Sequence, residues 1–428
     1  MAKSEMSTQP REWETIVGVD IRAALKRAQQ SHVSDIYGPY EEIRQEWGAV
    51  YPGDILVEHF KMHISAASMV SRPVVSVLGI EEAQAVYRDH KTFSSTIMQE
   101  SVGESMGRNM LVVDPPEHTR LRAAVQGAFG KRQMEGRGYA FAEAAVTEAL
   151  DAVEPLRRVD FFESVVQWLP ATVVFGMLGL PLEHKEQFRL YGTALTLMTS
   201  EVPQVAMACS QWLAEVLGEF IHCHLERVKK ASGELGLIDD IMSAQGDLEN
   251  GLTESELLDF LRVLVPAGSD TTIAGLATLF MALLSYPEQL EMIRADHGLI
   301  PAAVEEALRW QAPNQFTYRL TTCDTQIGET EVAAGTGVII CQGAANRDPR
   351  RWESPERFDI TRKMQPNVAF GGGAHNCLGA HLARVEMQCL VEQALDRLPN
   401  LRFDADRPAA RSVGLMFRTV DSLPVRWD

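Results

Sequence analysis

Apolar positions along this chain recur in two rhythms, and each predicts an element. Leu378, Leu382, Val385 and Cys389 are spaced 4, 3 and 4 apart, one face of an α-helix. Ile300 to Trp310 carries a similar face, and residues 138 to 260 read as mostly amphipathic helix. Phe162 to Leu180 is strongly apolar and reads as core rather than pocket. Shorter β-branched runs at Val74–Leu78, Tyr318–Thr322 and Gly337–Cys341 predict a few strands. Ile80 to Asp89 reads helical, Phe93 to Leu111 reads as a loop, and residues 1 to about 35 read as an arm with some helix. Ser232–Gly236 and Gly246–Gly251 read as breaks between helices, not domain linkers. The expectation is a mainly α chain with small sheets, an α+β fold, in which residues 36–428 form one domain.

One run tests a membrane reading. Val263 to Leu284 holds 22 residues with Asp270 as its only charge, long enough to span a bilayer. It also carries Pro266 and the polar run Ser269-Asp270-Thr271-Thr272. It therefore reads as a helix through the centre of the protein, with a kink at Pro266, whose missing N–H removes one helical hydrogen bond. The first twenty residues are polar, so no membrane anchor is expected there. The 428 residues are 46% apolar, ordinary for a globular core. Forty basic residues against fifty-eight acidic ones leave a net charge of −18, which argues against a nucleic-acid partner. Six scattered cysteines suit a reducing cytoplasm better than a disulfide framework.

The densest chemistry lies in Phe370-Gly371-Gly372-Gly373-Ala374-His375-Asn376-Cys377-Leu378-Gly379. Glycines allow positive φ and close backbone approach to something flat or bulky. Cys377 sits at the mouth of a helix, where the dipole favours thiolate. Taken alone, it is a buried structural cysteine, a nucleophile or a metal ligand. His118 and Arg122 share a helix face after Asp114-Pro115-Pro116 and form either a solvated basic face or an anion site. Asp270 and Thr271 inside an apolar helix need partners. They either cap a second helix after a break or relay protons.

The order Phe370-Gly371-x-Gly373-x-His375-x-Cys377-x-Gly379 resembles the haem-binding loop of the cytochrome P-450 superfamily. The resemblance extends over roughly residues 50 to 428. It implies the fold of that family, with haem b between the central helix and the helix after Cys377, and Cys377 as iron ligand. Phe370, Gly371 and Gly379 would then shape the loop around the sulfur. His118, Arg122, Arg319 and His375 would hold the two propionates. Ala267-Gly268-x-Asp270-Thr271 resembles the oxygen-activating segment, with room for dioxygen at Gly268 and a proton relay through Asp270 and Thr271. Glu306-x-x-Arg309 resembles the family's structural ion pair, with Arg357 as expected third partner. Val263, Gln315, Phe316, Thr317, Leu415, Met416 and Phe417 would face the substrate, and Tyr191–Pro203 matches the family's mobile lid by position, although its composition suits a helix end equally.

The implied function is a monooxygenase that inserts one atom of dioxygen into a hydrophobic small molecule, by hydroxylation or epoxidation. The alternatives are a peroxide-driven or non-oxygenating haem-thiolate enzyme, or a haem sensor or carrier. Neither a dinucleotide glycine motif nor a four-cysteine cluster spacing appears, so an external electron source is expected. In the soluble bacterial form of the family this is an acidic [2Fe-2S] ferredoxin. Arg120, Lys131, Arg132 and Arg384 are its expected docking patch.

Overall fold

The longest apolar run becomes one helix, Glu254–Ser285, and the other elements pack around it. The computed structural model describes residues 15–29, 35–62, 71–180, 184–197, 203–228, 237–238, 241 and 251–428. The breaks expected at 232–236 and 246–250 and most of the arm's first half fall outside them, as does Met198 of the lid segment.

In chain order the elements that position the site begin with α1 (Ile21–Gln29), β1 (Val50–Tyr51), β2 (Val74–Val77), α2 (Ile80–Arg88) and β3 (Phe93–Ser94). There follow α3 (Glu117–Gln126), α4 (Tyr139–Val153), α5 (Leu169–Leu178), α6 (Lys185–Leu197) and α7 (Pro203–Val228). The central helix is α8 (Glu254–Ser285). After it come α9 (Ile300–Trp310), β4 (Phe316–Thr321), β5 (Gly337–Cys341) and α10 (Ala380–Arg397). The five strands form one sheet in the order β1-β2-β5-β4-β3. β5 runs parallel to β2, pairing Ile340 with Val77, and antiparallel to β4, pairing Ile340 with Thr317. Between Phe93 and Leu111, where a loop was expected, lie β3 and the short helix Val102–Met106.

α8 starts with a reciprocal cap. The Thr253 hydroxyl accepts the Glu256 amide at 3.2 Å, and the Glu256 carboxylate accepts the Thr253 amide at 2.9 Å. Its most apolar stretch could cross a membrane by length and composition, yet 78% of that stretch is buried inside the protein. It is a core helix. The helix is unbroken through Pro266, so the expected kink does not interrupt it. The Pro266 ring lies against Gly192 of α6, which leaves it room. The main core gathers apolar faces of α4 to α10. Residues 15–29 belong with it: Ile21, Ala24 and Leu25 are buried, and Arg22 pairs with Glu186 of α6 at 2.6 Å.

Candidate active site

Cys377 is held by a loop built from backbone bonds. Its amide donates to the Phe370 carbonyl at 2.9 Å, and the Gly371 amide donates to Val368 at 3.0 Å. Gly373 has φ +64°, and a Cβ there would lie 1.9 Å from the Tyr87 carbonyl oxygen, so only glycine fits. The Cys377 sulfur accepts from the amides of Gly379 and Ala380 as α10 begins. Burial nevertheless pushes the thiol above its ordinary range, against those amides and the nearby Arg122 and Arg384. The sulfur is deep in the protein yet open to the cavity, and the dipole argument from sequence left out the desolvation of that depth.

The loop is braced at the cavity flank by one arginine and behind it by a buried ion pair. Arg122 Nη1 donates to the Asn376 carbonyl at 2.7 Å. Glu306 and Arg309 are fully buried and doubly hydrogen-bonded, at 2.7 and 2.8 Å. Their third partner is Arg362, whose Nε lies 3.3 Å from Glu306. The expected partner, Arg357, has its side chain at the surface and contributes only its carbonyl, to Arg309 at 3.1 Å.

Facing the sulfur across a cavity of about 470 Å³ is α8, which presents Val263, Ala267, Gly268, Thr271 and Thr272. The Thr271 hydroxyl donates to the Ala267 carbonyl at 2.8 Å. Capping after a helix break is excluded, because there is no break. Asp270 points the other way. It is buried off the cavity, and the Thr193 hydroxyl of α6 donates to its carboxylate at 2.7 Å. Arg189, one turn earlier on α6, is near enough for Asp270 to favour its charge.

One flank of the cavity collects His118, Arg122, Arg319 and His375. Arg319 is 7% exposed and sits over the Tyr87 ring at 5.4 Å; no carboxylate lies within ion-pair distance of it among the described residues. Burial pushes its guanidinium down from its ordinary value. His375 Nε2 is buried with no hydrogen-bond partner among the described residues, and the His118 and His375 rings lie tilted at 46° with centroids 4.1 Å apart. Burial and the arginines push His118 down to about 4 and His375 to about 2, so both are neutral at pH 7. One carboxylate, Asp114, stands at this flank, 3.9 Å from His375 Nε2, and it already accepts from the Ser94 hydroxyl and the Ser95 amide.

The remaining wall is apolar. Phe316, Thr317, Met416 and Phe417 line it as expected, and Thr317 is hydrogen-bonded to the Tyr87 hydroxyl. Gln315 and Leu415 do not. Gln315 is fully buried and gives its amide to the Ala312 carbonyl at 2.5 Å, one residue before β4 starts. Leu415 packs into the core between the sheet and the second helix of the chain, Tyr37–Trp47. Sequence reasoning also missed Met62, Met98, Met106 and Met110, which line the cavity, and Val174 and Met177 from the run read as pure core. Methionine adapts to irregular shapes, but scattered methionines carry no periodic signal. Glu386 was missed as well. It is fully buried on α10 beside the cavity, neither oxygen has a hydrogen-bond partner among the described residues, and burial raises it well above the carboxylate range.

A model of the Cytochrome P450 family matches residues 182–399. The chain is 36% identical over 326 residues to cytochrome P450 107B1 of Saccharopolyspora erythraea, covering 75% of this chain and 78% of that one. The chain belongs to the cytochrome P450 family. It is also 30% identical over 412 residues to the biotin biosynthesis cytochrome P450 of Bacillus subtilis, 95% of this P450 and 99% of that protein. Among solved structures, P450BioI in complex with an acyl carrier protein carrying hexadec-9Z-enoic acid superposes with a TM-score of 0.79 at 28% identity, covering 92% of this chain and 99% of that one. Related proteins are named as monooxygenase and hydroxylase. This P450 is a monooxygenase, and its cofactor is haem.

The residues present fit haem. A thiol with two amides stands on one side of the cavity and a small-residue helix surface on the other. Among the described residues the flank supplies a buried arginine with no carboxylate within ion-pair distance and an imidazole nitrogen with no hydrogen-bond partner and Asp114 at 3.9 Å; two propionates would satisfy both. The expected electron-donor patch looks different in three dimensions. Arg120 pairs with Glu256, Arg384 with Glu305, and Lys131 with Glu135 at 3.5 Å. Arg132 is exposed, with no acidic partner within ion-pair distance among the described residues.

Proposed function

We propose that this monooxygenase oxidises a neutral, hydrophobic small molecule held against α8, with Asp270 and Thr271 managing its protons. One observation carries the substrate reading. The cationic groups of the cavity gather on the propionate flank, and the rest of the described wall is largely apolar and rich in methionine, with Asn109, Asn314, Gln342 and the buried Glu386 among its few polar members.

In this reading haem supplies the redox chemistry of oxygen when bound. The chain does the rest. Cys377 holds the iron, and the Gly379 and Ala380 amides moderate the charge on its sulfur. His118, Arg122, Arg319 and His375 hold the propionates. Gly268 lines the cavity, and a Cβ there would lie 3.1 Å from Val174 Cγ2, so the glycine lets α8 pack close to α5. Thr271, its one hydroxyl hydrogen on the Ala267 carbonyl, offers the cavity an acceptor and becomes a donor there when the hydrogen turns away from the carbonyl, and Asp270 restores its proton from the far side of the helix. The presence of both residues favours oxygen activation over peroxide-driven chemistry. Electrons arrive from a separate iron–sulfur protein in a reducing cytoplasm, at the face near Arg132.

The test has three parts. Reduced holoprotein under carbon monoxide should give the thiolate-type Soret shift, and Cys377→Ala should lose it. A spectral titration with neutral hydrophobic compounds should find ligands, whereas their carboxylate and ammonium analogues should bind at least tenfold more weakly. Turnover with labelled dioxygen should place the label in the product. A protein that binds haem and ligand yet yields no labelled product would be a carrier or sensor.

A further inference from the structure

Two residues are unexplained by the roles above: a glycine inside α6 and a proline inside α8. Gly192 stands within Lys185–Leu197, where glycine weakens a helix. Pro266 stands within Glu254–Ser285, where it removes a hydrogen bond. They meet. A Cβ on Gly192 would lie 3.2 Å from Pro266 Cβ and 3.4 Å from its Cα. The atoms it would press are a rigid ring and helix backbone, which have little freedom to yield. The two helices therefore pack at this pair with no room for a side chain on α6.

The next residue on α6 is Thr193. Its one hydroxyl hydrogen has two acceptors in reach, Asp270 Oδ1 at 2.7 Å and the Arg189 carbonyl of its own helix at 2.9 Å. A hydroxyl can donate to only one at a time. The carboxylate is the stronger acceptor, provided α6 stays close. Moving α6 out leaves the Arg189 carbonyl in reach, since it travels with Thr193, and weakens the Thr193 bond to Asp270. Two residues beyond Thr193, Leu195 lines the cavity. The crossing thus joins the cavity wall to the acid behind it.

We propose that Gly192 and Pro266 form a spacer that sets the separation of α6 from α8. Through Thr193 the spacer decides whether Asp270 is held for proton transfer. Gly192 is a positioning residue, and it acts only if Asp270 carries protons as read above.

The experiment uses haem-loaded protein with a surrogate ferredoxin and reductase, and dioxygen alone as probe. The readouts are the rate of NADH-driven oxygen consumption and its solvent deuterium isotope effect. Gly192→Ala and Gly192→Leu both favour the helix more than glycine does, so α6 should fold; an unchanged carbon monoxide spectrum checks the haem site. The expected result is a graded slowing, about threefold for Ala and more for Leu, with a larger isotope effect. Pro266→Gly added to Gly192→Ala should restore most of the rate, which a merely loosened fold would not. If both Gly192 variants match the wild type while Asp270→Asn slows turnover, the spacer is wrong. If slowing is seen but Pro266→Gly gives no rescue, the spacer is also wrong. If Asp270→Asn is silent, the relay reading itself fails.

Discussion

Arg362 lies 3.3 Å from the fully buried carboxylate of Glu306 and completes the bracket behind the cysteine loop. It also donates to the carbonyls of Glu353, Ser354 and Arg357, so one side chain ties the turn 353–357 to α9. Removing it leaves Glu306 with Arg309 and the Asp359 amide alone. Arg362→Ala should cost about 3 kcal/mol, the low end for breaking a buried ion pair. Arg357→Ala should stay within about 0.5 kcal/mol, as for an exposed side chain. Urea unfolding of the holoprotein, followed at the Soret band, measures both.

Arg122 reaches across from α3 to the Asn376 carbonyl, next to the ligand cysteine. A hydrogen bond from a charged donor is worth about 1.5–3 kcal/mol. Arg122→Ala should therefore speed haem loss to apomyoglobin on the order of tenfold, and Arg122→Lys should recover part of that. Equal loss rates for the wild type and Arg122→Ala would remove this brace.

His118 is neutral in the folded chain, held down to about 4 by burial first and Arg122 second. Unfolding frees it toward 6.5. Below about pH 6.5 the unfolded state binds the extra proton, so stability falls as pH drops toward 4, by up to about 3 kcal/mol. Haem-free protein should show this slope and His118→Gln should reduce it, the remainder coming from His375, which burial holds lower still. In the holoprotein a propionate beside His118 would favour its charged form, and the slope should shrink. Denaturant midpoints at several pH values read all three.

Leu415 and Phe417 separate packing from recognition. Leu415→Ala opens a core site and should cost about 2–5 kcal/mol, with little change in the spectral dissociation constants of hydrophobic ligands. Phe417→Ala removes cavity wall and should change those constants severalfold at smaller cost in stability. A reversed pattern would show that the turn is seated differently.

Much of this was legible in the chain. Three glycines, a histidine and a cysteine at fixed spacing dictate a tight loop, because positive φ and missing side chains are properties of the residues themselves. The helix Ile300–Trp310 and the strand Gly337–Cys341 follow from local apolar rhythm and appear with the expected bounds. Gln315 was misread because it lies just before β4, where the turn after Pro313 sends its side chain to Ala312 rather than into the cavity. Arg357 was misread because a side chain and a carbonyl of one residue can serve opposite faces.

By itself, then, the sequence determined local matters: which segments coil, where the backbone must turn, and which residue can bind iron. The tertiary structure alone decided who meets whom. Asp270 finds Thr193 seventy-seven positions away in the chain, Glu306 takes Arg362 over Arg357, and methionines from distant segments share one wall. Such pairings depend on how helices cross, and a crossing is settled by the shapes of two surfaces together, which neither segment carries alone.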